Sequence, residues 1–399
     1  MHPLFILSVV FSWSIALVWT QRVLSVARNL PRVPNLLDRR YDPPQAVDGG
    51  RGQPQITVIV PARNEASDIE TTLRSLLAQT IPLEILAVDD RSTDATGTIM
   101  DRLAAEDLPA GKYLSVIHVE SLPSGWLGKN HAMALAARQA ATLWLLFTDG
   151  DIAFREDSLE RALRYAQDAA DHLVLLPTLI LKTAGESMMA AVFQSFTLLA
   201  WRPWKIADPR ARRESIGMGA FNLVRSDVYR AVGGFEAAPL EVLEDLRLGY
   251  AVKRGGYRQR FVVGRGLVRL HWAPGAFGMV RNLTKNIFAT FRFRLSLLFG
   301  AWIGLFLLCF APLAALLGPW PIRSAGLVSM AMIVMLYALT SRYYNRVGLG
   351  YVLTFPVAAA LVLYAMLRST LVTLLRGGVV WRGTFYPLDE LRRNAGPLR

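Results

Sequence analysis

Residues 56–77 read ITVIVPARNEASDIETTLRSLL, and their pattern changes once, after Pro61. Its first six residues, ITVIVP (56–61), form a short β-branched apolar run, which is typical of a buried parallel strand. Ser67 and Glu70 then stand at the spacing of a helix capping box. The following residues give a helix one apolar face, which consists of Ile69, Leu73, Leu76 and Leu77. The stretch therefore predicts a buried strand followed by an amphipathic helix.

The same alternation continues along the chain with short connections. The next segments are LEILAVDD (83–90), DATGTIMDRLAAE (94–106), LSVIHV (114–119), NHAMALAARQAA (130–141) and LWLLFTD (143–149). Alternating strands and helices predict an α/β fold with a mostly parallel sheet and helices on its faces. The chain contains neither G-x-G-x-x-G nor a P-loop, which argues against an ordinary Rossmann dehydrogenase or a P-loop NTPase.

The apolar residues are concentrated near the two ends of the chain. Hydrophobic residues make up 53% of the sequence and the mean hydropathy is +0.30. The excess collects at residues 4–19 and from about 295 to 375. This distribution predicts a domain of ordinary composition between membrane segments. The only cysteine, Cys309, lies in an apolar run, so neither an intrachain disulfide nor a multi-cysteine zinc site is available.

The net charge of +13 has two candidate partners, nucleic acid and an anionic membrane. Arginines lie beside the apolar runs, which is the pattern expected where basic residues flank membrane segments and contact anionic lipid head groups. They are Arg22, Arg28, Arg32, Arg39 and Arg40 after the first run, Arg292 and Arg294 before the second, and Arg376 and Arg382 after the last. This pattern favours a membrane and predicts no nucleic-acid partner.

The organisation predicted from these patterns has six parts. They are a transmembrane helix (1–21), a linker rich in proline and glycine (22–54), the α/β domain (55–275), an amphipathic interfacial helix (276–295), transmembrane segments (296–376) and a basic tail (377–399). The amphipathic helix has an alternative interpretation, a domain helix packed on its own core. A cleaved signal peptide is the rival to the first helix, but neither a preceding Lys or Arg nor an A-x-A-like site supports it.

The positive-inside rule places the amino terminus outside and the α/β domain in the cytoplasm, at the inner membrane. The apolar segments near 296–318, 324–341 and 350–375 would then put the tail outside. The arginines of the tail favour the inside, so one of these three segments is a candidate for an interfacial or re-entrant segment.

Acidic residues follow the predicted strands where each strand ends. Asp149 and Asp151 lie in FTDGDIAF (147–154), and Asp89 and Asp90 end LEILAVDD. A polar turn, PARNE (61–65), follows the first strand. Open α/β sheets bind ligands at the carboxyl ends of their strands, and hard divalent cations take carboxylate oxygens. The pattern predicts Mg²⁺ or Mn²⁺ with a nucleoside diphosphate; a solvated turn is the alternative for Asp149 and Asp151.

Other residues allow both a functional and a structural interpretation. Lys129 comes just before a predicted helix and could meet an anion there, or be an exposed loop lysine. Glu244 and Asp245 begin an amphipathic helix, where an acidic pair often only complements the helix dipole. His271 is a candidate metal or diphosphate ligand, although a packed histidine is the commoner case.

Six motifs in order, VPARNE, VDDRSTDAT, GWLGKNHA, TDGD, GGF and LED, resemble the family 2 inverting glycosyltransferases of GT-A fold over roughly residues 55–275. The resemblance implies a nucleoside pocket, a donor-binding Lys129, a D-x-D metal site of Asp149 and Asp151, and Asp245 as catalytic base with Glu244 beside it. The implied nucleoside pocket consists of Pro61, Ala62, Arg63, Asn64, Glu65, Asp89 and Asp90.

The membrane-flanked layout and WRGTFY (381–386) are similar to bacterial lipid glycosyltransferases of the ceramide, hopanoid and carotenoid type. The chain lacks the Q-x-x-R-W of processive synthases, which implies a single transfer. Candidate acceptor or diphosphate contacts are His271, Arg281, Lys285 and Trp381.

The sequence thus predicts a glycosyltransferase that transfers a sugar to the hydroxyl group of a lipid. The donor is a nucleotide sugar, a UDP-sugar. A processive polysaccharide synthase is the first alternative. A catalytically inactive membrane scaffold is the second, and the three retained aspartates, Asp149, Asp151 and Asp245, argue against it.

Overall fold

The computed structural model of the chain describes residues 2–43 and 53–397, and the chain divides into two compact units. The sheet unit consists of Pro34–Ile180, Lys205–His271 and Asp389–Arg399. The helix unit consists of Met1–Val33, Leu181–Trp204 and Trp272–Leu388. The predicted α/β domain over 55–275 is therefore interrupted, because Leu181–Trp204 belongs to the helix unit.

The sheet unit is a mixed α/β structure around a mostly parallel seven-stranded sheet. Its strand order is β3-β2-β1-β4-β8-β6-β9, and β8 runs antiparallel to both of its neighbours. The strands are β1 (Ile56–Ala62), β2 (Leu83–Asp89), β3 (Lys112–His118), β4 (Trp144–Phe147), β6 (His172–Leu175), β8 (Asn222–Arg225) and β9 (Gln259–Val262). A second sheet contains β5 (Ile152–Phe154), β7 (Thr178–Leu179) and β10 (Val268–Leu270).

Helices cover the sheet, as the alternating pattern predicts. They are α2 (Ile69–Leu77), α3 (Thr96–Ala104), α4 (Gly128–Gln139), α5 (Ser158–Ala169), α7 (Ser226–Ala231) and α8 (Glu244–Arg254). Every residue of β1 is buried, because helices cover both faces of the sheet. On one face, alanines of α4 pack with Phe147, Tyr229 and Phe235. The predicted α/β fold is confirmed.

Among the residues that the structure describes, the helix unit contains four helices long and apolar enough to cross a membrane. These candidate spans are Pro3–Arg32, Leu295–Ala315, Trp320–Tyr343 and Leu349–Arg376. The α-helices of the unit are α1 (Pro3–Asn29), α6 (Ala184–Ala200), α9 (Gly275–Thr290), α10 (Leu295–Ala315), α11 (Trp320–Tyr343) and α12 (Phe355–Arg376). Helix α1 extends beyond the predicted end at residue 21, so residues 22–29 are helix and not linker. Residues 44–52 of the predicted linker lie outside the described residues.

The predicted basic tail contains regular structure. A hairpin of β11 (Gly378–Trp381) and β12 (Thr384–Pro387) leads into α13 (Leu388–Asn394). At its turn, Arg382 and Gly383 both have positive φ, the backbone geometry of a tight two-residue hairpin loop. Leu391 of α13 is only 1% exposed, so the tail is anchored by an apolar side chain.

Helix α9 is the predicted amphipathic helix, and α12 packs along it. The Ser369 hydroxyl accepts a hydrogen bond from Phe288 N (3.0 Å) and donates to the Thr284 carbonyl (2.5 Å). Leu283 and Phe288 of α9 are buried, whereas Phe277 at its start is 66% exposed. Part of the apolar face of α9 is thus buried, and the interfacial position of residues 276–295 stays a prediction.

Candidate functional site

The acidic strand ends meet at one edge of the sheet. In the parallel register, Ala62 of β1 lies beside Asp89 of β2, and Ile59 of β1 lies beside Phe147 of β4. The residues that follow these strands therefore share the carboxyl edge, where open α/β sheets bind ligands. Gly150 in the turn after β4 lies close to β1, since an added Cβ there would be 3.2 Å from the Ala62 Cβ.

Lys129 is the centre of a buried ion-pair cluster. Its Nζ lies 2.5 Å from Asp149 Oδ1 and 2.7 Å from Glu244 Oε1. The side chains of Lys129 and Glu244 are only 10% and 6% exposed. Burial by itself lowers the pKa of Lys129, but Asp149 and Glu244 outweigh it and the net pKa is raised, which keeps the lysine charged. Lys129 is thus not an exposed loop lysine.

Asp151 lies in the turn after β4 and has a perturbed carboxyl group. Burial raises the pKa of Asp151, and the neighbouring carboxylates of Asp149 and Glu65 raise it further. Such a cluster favours a bound cation, because repulsion among carboxylates falls when a positive charge joins them. Among residues 2–43 and 53–397, no group of three or more His, Cys, Asp or Glu side chains could hold an ion alone.

Asp245 lies at the start of α8, and two backbone amides donate to its carboxylate. Gly219 N donates to Asp245 Oδ2 (2.8 Å), and Leu246 N donates to Oδ1 (2.7 Å). Burial raises the pKa of Asp245 to about 6, and Glu244 adds to the effect. An acid with this pKa is ionised at neutral pH yet basic enough to accept a proton, as a general base requires.

Sequence reasoning missed Gly217 and Gly219. A Cβ at Gly219 would be 2.6 Å from Asp149 Oδ2 and 3.2 Å from Lys129 Nζ, and one at Gly217 would collide with the Asp245 carbonyl. The backbone at 217–219 therefore approaches the acidic cluster too closely for any larger residue. The sequence contains a signal for this close approach, because two glycines separated by a single residue stand just before β8.

A buried polar network that the sequence did not reveal holds the same segment. Gln259 accepts a hydrogen bond from Ile216 N (3.1 Å) and donates to His172 Nδ1 (2.8 Å). The opposite nitrogen of His172 contacts Asn222 Oδ1 at 2.5 Å. Burial lowers the pKa of His172 to about 4, so the imidazole is neutral. These hydrogen bonds hold the backbone that leads into Gly217 and Gly219, next to Asp245.

The two aspartates at the end of β2 have different surroundings. Asp89 accepts from Ser92 N (3.0 Å) and contacts His118 Nδ1 (3.2 Å), so both of its oxygens have partners. Asp90 is only 1% exposed and pairs through Oδ1 with Arg91. Its Oδ2 has no hydrogen-bond partner among the described residues. Asp90 Oδ2 is thus the better candidate of the two to accept a hydrogen bond from an N–H group of a bound nucleotide.

The predicted nucleoside pocket is a pair of interlocked turns. Asp90 N donates to the Ala62 carbonyl (2.9 Å), and Thr93 N donates to Asn64 Oδ1 (2.8 Å). Glu65 N donates to Thr96 Oγ1 (2.8 Å). Pro61 lies in β1 just before Ala62, and Arg63 follows in the turn, so all seven residues that the resemblance implied lie at the carboxyl ends of β1 and β2.

The remaining candidates are divided between the two units. His271 ends a segment of the sheet unit, whereas Arg281, Lys285 and Trp381 belong to the helix unit. Lys285 Nζ lies 5.0 Å from the ring centroid of Trp381, within cation–π range. These three residues remain predicted contacts.

Comparisons with known proteins show which proteins this chain resembles. Residues 57–224 match the family model described as Glycosyl transferase family 2. A 4,4'-diaponeurosporenoate glycosyltransferase of Staphylococcus aureus (strain bovine RF122 / ET3-1) is 26% identical over 238 residues, 58% of this chain and 60% of the relative. The protein of the same name from strain USA300 is 28% identical over 199 residues, 49% of this chain and 50% of the relative. The chain thus aligns with between half and three-fifths of these relatives.

Two solved structures are similar to this chain at low identity. The mannosyltransferase PcManGT from Pyrobaculum calidifontis, in complex with GDP-Man and Mn²⁺, has a TM-score of 0.42 and 18% identity, covering 92% of this chain and 99% of that one. TarS 1–349 of S. aureus, in complex with UDP-GlcNAc, has a TM-score of 0.39 and 15% identity, covering 83% and 95%.

Proposed function

We propose that this chain, whose residues 57–224 match the glycosyl transferase family 2 model, moves a sugar from a nucleotide-diphosphate donor, a UDP-sugar, to a membrane lipid. The observation that carries the proposal is the placement of Asp245. Burial raises the pKa of its carboxylate to about 6, and the carboxylate accepts a hydrogen bond from Gly219 N, the glycine packed against Asp149 and Lys129. A general base beside charged groups suited to a diphosphate is the minimum that this transfer needs.

The proposed reaction is a single displacement at the anomeric carbon. Asp245 takes the proton of the acceptor hydroxyl while the hydroxyl oxygen attacks the anomeric carbon. The bond between that carbon and the diphosphate breaks on the opposite face of the sugar. One displacement inverts the configuration and requires no covalent intermediate with the protein. Lys129 supplies positive charge near the departing diphosphate, and Glu244 holds Lys129 in place at 2.7 Å.

The carboxylate oxygens of this site suit a divalent cation, Mg²⁺ or Mn²⁺. Asp151 and Asp149 would hold it, and the crowded carboxylates that raise the pKa of Asp151 are hard oxygen ligands of the kind these ions select. When bound, the cation would neutralise charge on the leaving diphosphate as a Lewis acid.

The acceptor has two candidate chemistries. The relatives are named for 4,4'-diaponeurosporenoate, which is a carboxylate, so a lipid carboxylate is the second candidate. A carboxylate is already ionised and needs no base, whereas a hydroxyl does. The raised pKa of Asp245 favours the hydroxyl.

The first test is an assay of the purified full chain against UDP-, GDP- and dTDP-sugars with a membrane lipid extract. We expect one donor to yield a lipid that carries a single added sugar, detected by mass spectrometry. A ladder of sugars would favour a processive synthase. Lack of transfer to any lipid with any donor would favour the scaffold alternative.

The pH profile distinguishes the two acceptor chemistries. With a hydroxyl acceptor and saturating Mn²⁺, which keeps Asp151 ionised, kcat/KM should fall about tenfold per pH unit below pH 6 and be level above it, because protonated Asp245 cannot act as a base. The measurement is initial rate against pH with the donor far below its KM. A level profile between pH 5 and 8 would contradict the role of Asp245 and favour a carboxylate acceptor.

We also propose that the tail lies on the same side of the membrane as the sheet unit. Gly396 N donates to Glu241 Oε2 (3.0 Å), and the Pro397 carbonyl accepts from Arg247 (3.2 Å). Because both ends of Trp272–Leu388 join the sheet unit, the chain between them crosses the membrane an even number of times. One of α10, α11 and α12 therefore does not cross.

Helix α12 is our candidate for the helix that does not cross. It packs along α9 through Ser369, and it contains Arg368 near its middle. Helices α10 and α11 then form the crossing pair, which leaves Arg342 and Arg346 on the same side as the tail. That side is the cytoplasm by the positive-inside rule.

Single cysteines can test this topology after Cys309 is replaced by serine. We expect His2→Cys and Leu317→Cys to react with a membrane-impermeant maleimide in intact cells. Gly348→Cys and Asn394→Cys should react only after the cells are lysed. Labelling of Asn394→Cys from outside would contradict the cytoplasmic tail, and labelling of Gly348→Cys would contradict the crossing pair.

A further inference from the structure

The loop that precedes the proposed base is held from two sides. This loop, residues 238–243, leads directly into Glu244 and Asp245. Leu243, the N-cap residue of α8, makes no side-chain capping bond, so the helix start is not fixed by its own cap. The conformation of the loop therefore depends on contacts with other segments.

Helix α4 supplies the first set of contacts. Leu127 N donates to the Pro239 carbonyl (2.9 Å). The amide of Asn130, the neighbour of Lys129, donates to the carbonyls of Pro239 (3.1 Å) and Glu241 (2.9 Å). These bonds tie one side of the loop to the helix that carries Lys129.

The carboxyl-terminal segment supplies the second set of contacts through Glu241. This side chain is only 4% exposed, and its Oε1 accepts from Leu243 N (3.3 Å) while its Oε2 accepts from Gly396 N (3.0 Å). One buried carboxylate thus bridges the start of α8 and the tail. Burial raises the pKa of Glu241, and the Gly396 amide and Arg247 offset part of that cost.

The tail also fits closely around Arg247 on the first turns of α8. The Pro397 carbonyl accepts from Arg247 Nη1 (3.2 Å). An added Cβ at Gly396 would be 2.8 Å from Arg247 Nε, so a larger residue there would displace the guanidinium. Leu391, 1% exposed, anchors the segment just upstream.

We propose that residues 395–397 are a positioning strap, which fixes the 238–243 loop through Glu241 and Arg247 and so holds Asp245 where the acceptor is deprotonated. The strap does not touch the reacting atoms. Its role rests on the proposed function of Asp245, but its effect on the loop does not. Loss of the strap should slow the transfer step and leave nucleotide binding intact.

The test compares two truncations of the full chain. A chain that ends at Asn394 loses both strap contacts, whereas a chain that ends at Pro397 retains them. We expect the first to lower kcat about ten- to a hundred-fold, as a small misplacement of a catalytic group does. Its affinity for the nucleoside diphosphate of the donor that the panel identifies should stay within about twofold of the full-length value, since a misplaced base slows chemistry and not binding. The second truncation should match the full chain in both.

Two variants of Glu241 separate positioning from folding. Glu241→Gln keeps an oxygen that can accept from Gly396 N and should retain most of the turnover. Glu241→Ala removes the bridge and should reproduce the loss seen on truncation at Asn394. If the truncated chain fails to fold, as judged by its melting temperature, this pair decides the question.

Hydrogen exchange tests the strap without any substrate. Amides of residues 243–246 should exchange faster in the chain that ends at Asn394 than in the chain that ends at Pro397. Unchanged exchange with unchanged kcat would overturn the strap, and a rise in kcat would reveal an inhibitory segment instead. If the full chain transfers no sugar while exchange responds as expected, the proposed function fails and the structural link stands.

Discussion

Asp245→Asn should lower turnover by about a hundred- to ten-thousand-fold, because general-base contributions fall in that range. The substitution keeps the shape of the side chain and an oxygen that can accept from Gly219 N. The affinity for donor should therefore change little. The measurement is kcat by product mass spectrometry, with nucleotide affinity by calorimetry on the same preparation.

Glu244→Gln is the matched control for the base. Glu244 is buried against Lys129, so its substitution should weaken the ion-pair cluster and raise the KM for donor more than it lowers kcat. If Asp245→Asn keeps near-normal turnover while Glu244→Gln loses it, the assignment of the base is reversed. The acid at Asp245 would then serve the helix dipole.

Asp151→Ala should abolish metal-dependent transfer. We expect EDTA to stop the wild-type reaction and Mn²⁺ or Mg²⁺ to restore it, whereas the variant should not recover. The loss should reach about a hundred-fold or more, since metal stabilisation of a leaving group amounts to several kcal/mol and each 1.4 kcal/mol is tenfold in rate.

A readout besides activity makes the metal assignment specific. Calorimetry should detect tighter nucleotide binding with Mn²⁺ in the wild type but not in Asp151→Ala. Asp107→Asn, at an exposed loop acid of the sheet unit, should behave as the wild type. Full activity of the wild type in EDTA would contradict the metal site, and the DGD turn would then be a polar turn with a buried acid.

The alternation of strands and helices was readable because it depends on local periodicity. The run at 56–61 and the apolar face from Ile69 to Leu77 predict β1 and α2 closely. The acidic strand ends were readable for a related reason, because the carboxyl ends of parallel strands must share an edge. The interruption of the α/β domain at Leu181–Trp204 had no such local signal.

By itself, then, the sequence determined the α/β sheet, the apolar helices and the acidic residues that share the carboxyl edge. The partners of the buried acids came from the folded chain alone: Glu244 pairs with Lys129, Asp245 with Gly219, and Glu241 with Gly396. Glu241 and Gly396 lie 155 residues apart in the chain, and no periodicity relates them. Periodicity records which face of an element is buried, whereas the pairing of buried charges depends on where distant elements pack against each other.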